Sequence, residues 1–171
     1  MEELSLEERA VFYLGLSELV LPVIWRAHHD QSAQDAVAQA WRWIQGENIS
    51  GQTLDDLVYA DGDIGVAVSM LAERDDFVKN AWGCVSDAII FVAYCAYKLG
   101  DSTSMSEMAQ IAGMPEHLDN FIESLNGVVR STELAPRFAE VLKTIRADEY
   151  TRENIRETVF RIARDCGVAV P

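Results

Sequence analysis

Groups that bind metals or act as activated nucleophiles are scarce in this 171-residue chain. The three histidines, His28, His29 and His117, form no HExxH spacing. Neighbouring His28 and His29 diverge on a helix, so HHD at 28–30 reads as a helix end, where imidazole suits the negative dipole terminus. Three cysteines, Cys84, Cys95 and Cys166, make an odd count without metal-type spacing. Cys84 and Cys95 fall on one expected helix, ~16 Å apart along its axis and far beyond disulfide reach. Free thiols belong to a reducing compartment, so a cytoplasmic location is expected. The chain has no G-x-S-x-G elbow, no P-loop and no Rossmann glycine fingerprint. Its most apolar stretch, AIIFVAYCAY at 88–97, is about half of the ~20 residues a bilayer crossing needs. That stretch reads as a buried core helix. Nothing resembles a basic n-region followed by an apolar h-region, so neither membrane nor secretion is expected. No cofactor, metal or catalytic residue is assigned.

What the chain does have is helical periodicity, punctuated by glycine and proline. Ser5 and Glu8 have capping-box spacing at the start of a helix reaching about Leu21. Pro22 either kinks that helix or opens another that ends near His29. Ser32 can cap the next helix, and Gly46 stops it. Thr53 can cap a short helix through Tyr59, and Val66–Ala72 adds two turns. Asp75 or Asp76 begins a long central helix ending at Gly100, apolar almost all round. Thr103 or Ser104, Pro115, Glu133 and Thr151 open the remaining helices, with Gly167 after the last. The expected fold is all-α: a single-domain bundle of about seven to nine helices over 1–171, built around a long central apolar helix.

Acidic residues outnumber basic ones by 28 to 14, and the imbalance is local. Residues 1–42 carry net −4, 43–129 net −11, and 130–171 net +1. LDDLVYADGD at 54–63 holds four aspartates, and only Arg74 is basic between Glu47 and Asp76. Such a field repels phosphate backbones and anionic lipid and attracts basic partners.

Other readings of these acids fail on spacing. Asp61 and Asp63 have the opening spacing of an EF-hand loop, but Gly65, Val66 and Ala72 occupy positions that need a ligand, a glycine and a glutamate. Asp55 and Asp56 point about 100° apart on a helix, so they do not form a glycosidase-like pair by proximity. Residues 105–125, MSEMAQIAGMPEHLDNFIESL, have a helix-turn-helix outline. The second helix, however, carries Glu116, Asp119 and Glu123 and no lysine or arginine, so DNA binding is rejected. In AWRWI, Trp41 fits the apolar stripe, and Trp43 is the one expected at the surface. Tyr59 precedes the acidic turn, where an aromatic can anchor an interface.

YLGLSELVLPVIW, AVAQAWRWIQGENISGQTLDDLVYA and AWGCVSDAIIFVAYCAYKLG together resemble the helical immunity proteins of bacterial polymorphic-toxin systems, including contact-dependent inhibition. The likeness spans roughly residues 10–100. It implies a cognate protein toxin, often a nuclease with a basic groove, neutralised by one-to-one binding. No residue-level motif carries over. Charge and position alone nominate Asp55, Asp56, Tyr59, Asp61, Asp63, Glu73, Asp75 and Asp76 as partner-binding, with Asp75 and Asp76 equally suited to capping the central helix. Two alternatives remain open. One is a small-molecule binder or enzyme with an inter-helix pocket, using carboxylates such as Glu18 or Asp87. The other is a regulatory adaptor with an apolar groove.

Overall fold

Caps and breakers in the sequence set most of the helix ends. In the computed structural model, which describes residues 4–59, 65–100 and 104–169, the first helices are α1 (Leu6–Ser17), α2 (Leu21–His28), α3 (Ser32–Ile44), α4 (Gly51–Tyr59) and α5 (Val66–Ala72). They are followed by α6 (Asp76–Leu99), α7 (Glu107–Ala112), α8 (Pro115–Val129), α9 (Leu134–Leu142) and α10 (Arg152–Asp165). A 3₁₀ turn at Ala147–Glu149 precedes α10, and no strand occurs among the described residues.

The Ser5–Glu8 capping box forms as expected, and Pro22 opens a helix of its own. Other caps differ by a few residues. Asp30 Oδ1 accepts from Ser32 N, so Asp30 rather than Ser32 satisfies the start of α3. Ser50 Oγ accepts from Thr53 N, and α4 therefore begins before Thr53. Ser106, not Thr103 or Ser104, caps α7. Asp75 caps α6, accepting from the amides of Phe77 and Val78.

Helix α6 is the axis of the bundle. It packs against α1 to α5, α7 and α8, while α9 and α10 pack on α1 at one side. Most of its side chains are buried, including Trp82, Phe91 and both of its cysteines. Leu6–His28 and Asp76–Leu99 are long and apolar enough to cross a membrane, yet each is largely buried within the protein. That burial accounts for their composition as core helices. Desolvation pushes the Cys84 thiol well above its ordinary pKa and the Cys95 thiol up to about 12, so both are inert at neutral pH.

Close backbone approach explains two glycines. A Cβ at Gly51 would lie 2.5 Å from the Tyr97 ring, and one at Gly113 would lie 2.5 Å from Tyr94. The first seats α4 on the C-terminal half of α6. The second seats the α7–α8 corner of the helix-turn-helix mimic, so packing explains the small residues there. Trp41 is buried as expected, whereas Trp43, expected at the surface, is half-buried and packs against the core.

Candidate partner-binding surface

The acidic stretch does not fold into one outward-facing patch. Helix α4 turns Gly51, Leu54, Asp55 and Val58 inward, an i, i+3, i+4, i+7 stripe that places a carboxylate within an apolar row. Asp55 is 4% exposed, which corrects the expectation that it faces solvent. Its Oδ2 lies 3.4 Å from the Tyr97 hydroxyl, which has a shorter contact of 3.1 Å with Gln52 Oε1. One phenolic proton cannot serve both fully, and Asp55 Oδ1 has no partner among the described residues. Burial first, and the Asp55 charge second, hold the Tyr97 pKa up at about 12.

Asp56 is exposed and accepts from Gln52 Nε2 at 2.7 Å. Tyr59 is 41% exposed at the end of α4. Its pKa is raised by burial of the hydroxyl and then by the charges of Asp87 and Asp55, while Ser86 hydrogen-bonds to it. Asp61 and Asp63 lie outside the described residues.

Glu73 is engaged by its own chain. It accepts from the amides of Arg74 and Asp75 and from His28 Nε2 at 2.5 Å, with its side chain 10% exposed. These hydrogen bonds, the one from Asp75 N foremost, hold its pKa below the ordinary carboxylate value. Glu73, nominated by charge and position, is therefore held by its own chain rather than left free for a partner. Asp75 and Asp76 are exposed, and Asp75 also serves as the α6 cap.

Geometry also separates the two ends of the stretch. Asp55 reaches Tyr97, whereas Asp76 opens the same helix 21 positions earlier, roughly 30 Å away along the axis. That exceeds the ~8 Å screening length at physiological salt several times over. Residues close in sequence therefore do not act as one cluster.

Two carboxylates singled out inside apolar helices have structural partners. Glu18, 2% exposed, accepts from Trp41 Nε1 at 3.0 Å and from Arg152 Nε at 2.7 Å. Asp87 Oδ1 lies 3.4 Å from the buried His117 Nε2, which has no hydrogen bond among the described residues. His117 Nδ1 in turn contacts the buried Tyr13 hydroxyl at 3.2 Å. Tyr13 stacks on Phe91, and burial holds its pKa far above the ordinary tyrosine value. This Tyr13–His117–Asp87 chain joins α1, α8 and α6, and no local sequence signal announces it. Among the described residues no group of histidine, cysteine and carboxylate side chains could hold a metal ion.

Sequence reasoning also passed over a second acidic surface. Glu116, Asp119 and Glu123 are exposed along α8 and form no ion pair with any described residue. They had served only to reject DNA binding.

No curated protein and no solved structure matches this chain. The model of one protein family, described as immunity protein Imm6, matches residues 8–128. That span takes in the whole of the α6 axis, the acidic stretch and nearly all of α8. Covering well over half of the sequence, it shows that the chain belongs to the Imm6 family of immunity proteins, whose place is in toxin systems.

Proposed function

We propose that this immunity protein neutralises a cognate bacterial toxin by one-to-one binding in the cytoplasm of the producing cell, without catalysis. The toxin presents a basic surface, a nuclease with a cationic substrate groove being the fitting kind. The acidic face of the immunity protein steers it into place. Nucleic acid and membrane are not partners of so acidic a protein.

One observation carries this reading: among the described residues, most carboxylates of the central segment have no cation beside them, the exceptions being Glu47 with Arg42, Glu73 with His28 and Asp87 with His117. Residues 43–129 carry net −11. Among the described residues, the arginines of the C-terminal segment pair with Glu18, Glu133 and Asp148, and none reaches a carboxylate between 43 and 129. Asp56, Asp75 and Asp76, with Asp61 and Asp63, would supply the attractive field, and Tyr59 an aromatic contact. Asp55 and Glu73 act from behind, since their side chains are engaged internally. A steered pair can associate well above the ~10⁵–10⁶ M⁻¹s⁻¹ of an unsteered one. For a protector that rate matters, because each free toxin molecule does damage.

Of the two carboxylates the enzymatic alternative would use, Glu18 is engaged by Trp41 and Arg152.

The test is genetic and kinetic. The reading predicts an adjacent upstream reading frame that ends in a toxin domain; that domain is expressed with and without this protein, and cell survival is scored. Rescue is expected, and continued killing would refute the reading. Reversing Asp61 and Asp63 to lysine should slow association with that toxin domain at low salt; an unchanged rate would remove these two residues from the steering surface.

A further inference from the structure

Helices α8 and α9 leave a trough between them. Each brings one phenylalanine down onto Phe12 of α1: Phe121 with ring centroids 6.5 Å apart, and Phe138 at 5.7 Å. Phe12 thus acts as a spacer. Helix α8 is held by α6, and α9 by α1 and α10, so their outer faces do not close on each other. The space between them is about 770 Å³. Leu118 and Ile122 of α8 line one side, and Ala135, Pro136 and Ala139 of α9 line the other. Only the two alanines are buried; the remaining lining is half-buried or exposed, which makes this an open surface trough.

Its rim is of one sign. Asp119 and Glu123 stand four residues apart on the α8 side, Glu140 stands on the α9 side, and no lysine or arginine lines the trough. Glu140 contacts Lys143 one turn further along α9. Asp119 and Glu123 have no cationic partner among the described residues. Asn126, at one end, lines the trough and carries a buried Oδ1 without a donor from the described protein.

We infer that this trough is the seat for a cationic amphipathic helix of the toxin, with an apolar ridge against Leu118, Ile122, Ala135 and Ala139 and lysines or arginines against Asp119, Glu123 and Glu140. The inference rests on the proposed toxin binding and specifies its surface. A helix is the fitting occupant because both walls are helices with internally satisfied backbones, which offer no edge for an added strand. The i, i+4 rows Leu118/Ile122 and Ala135/Ala139 form a groove into which a third helix ridge can pack. Charge selects the partner. The segments of this chain outside the described residues, MEE, ADGDI, DST and VP, contain no lysine or arginine to fill the rim.

Three proteins are compared by surface plasmon resonance against an inactive form of the adjacent-frame toxin domain: wild type, Asp119→Lys/Glu123→Lys, and Glu153→Lys/Glu157→Lys. The last makes the same charge change on exposed positions of α10. The trough variant should lose affinity by ~30-fold or more, mainly through faster dissociation, while the α10 variant shifts by about three-fold through association. Ala139→Trp, which fills the trough without altering charge, should match the trough variant. Circular dichroism melting verifies that each variant is folded. If wild type binds and both trough variants stay within about three-fold of it, the inference is overturned while toxin binding stands. If wild type itself neither binds nor protects, the functional reading fails first. Sedimentation of wild type alone is the remaining check: self-association abolished by the trough substitutions would assign the trough to a second copy and overturn the inference.

Discussion

Two acidic regions of this protein look alike in sequence and differ in what the fold does with them. Between Asp55 and Asp76, carboxylates are dense, but three of the five described ones are occupied: Asp55 is buried, Glu73 binds two amides and a histidine, and Asp75 caps a helix. On α8, Glu116, Asp119 and Glu123 are sparser, and no described residue engages any of them in an ion pair. Charge density along a chain therefore does not measure charge available to a partner. What matters is the charge left after internal hydrogen bonds and caps are subtracted.

Stability measurements on single variants can break or sharpen that contrast. The largest effect is expected at an occupied carboxylate in the core. Glu18→Ala removes the acceptor shared by Trp41 and Arg152 and should cost about 3 kcal/mol in urea unfolding. A loss below ~1 kcal/mol would mean that the buried pair contributes little net stability. Next comes Asp75→Ala, which strips the α6 cap and should cost ~1 kcal/mol.

The third prediction concerns pH. Because Glu73 has a lowered pKa in the folded protein, its contribution is present above the unfolded value near 4.5 and is lost as pH falls through the folded one. Glu73→Gln should therefore lower the melting temperature at neutral pH and flatten the acid limb below 4.5. Parallel acid limbs for variant and wild type would show that the His28 and backbone bonds do not couple to folding. Smallest of all, Asp119→Asn/Glu123→Gln should leave stability within ~0.5 kcal/mol, as expected of surface groups without an ion pair among the described residues.

Legibility in the sequence followed the range of the interaction. Short-range signals read well: the Ser5–Glu8 box, Pro115 at a helix start, the Asp75 cap and the apolar α6 axis are all set by neighbours within four residues. The inward turn of Asp55 was also written locally, since it completes the Leu54–Val58 stripe. Its charge drew attention away from its position. The Tyr13–His117 contact spans 104 positions and could not be read from any window. The trough was half-visible. The acidic side of α8 is plain in PEHLDNFIESL, but whether it borders a groove depends on where Phe12 holds α9.

The family match gives the protein its class, and electrostatic steering by the acidic central segment is the proposed basis for how it meets a toxin. The most direct test is the association rate with the adjacent-frame toxin domain as a function of ionic strength. A fall of ~10-fold or more from about 20 mM to about 500 mM salt is predicted, with dissociation changing much less. An association rate that stays constant to within about two-fold over that range would contradict electrostatic steering and leave the acidic surface without its role.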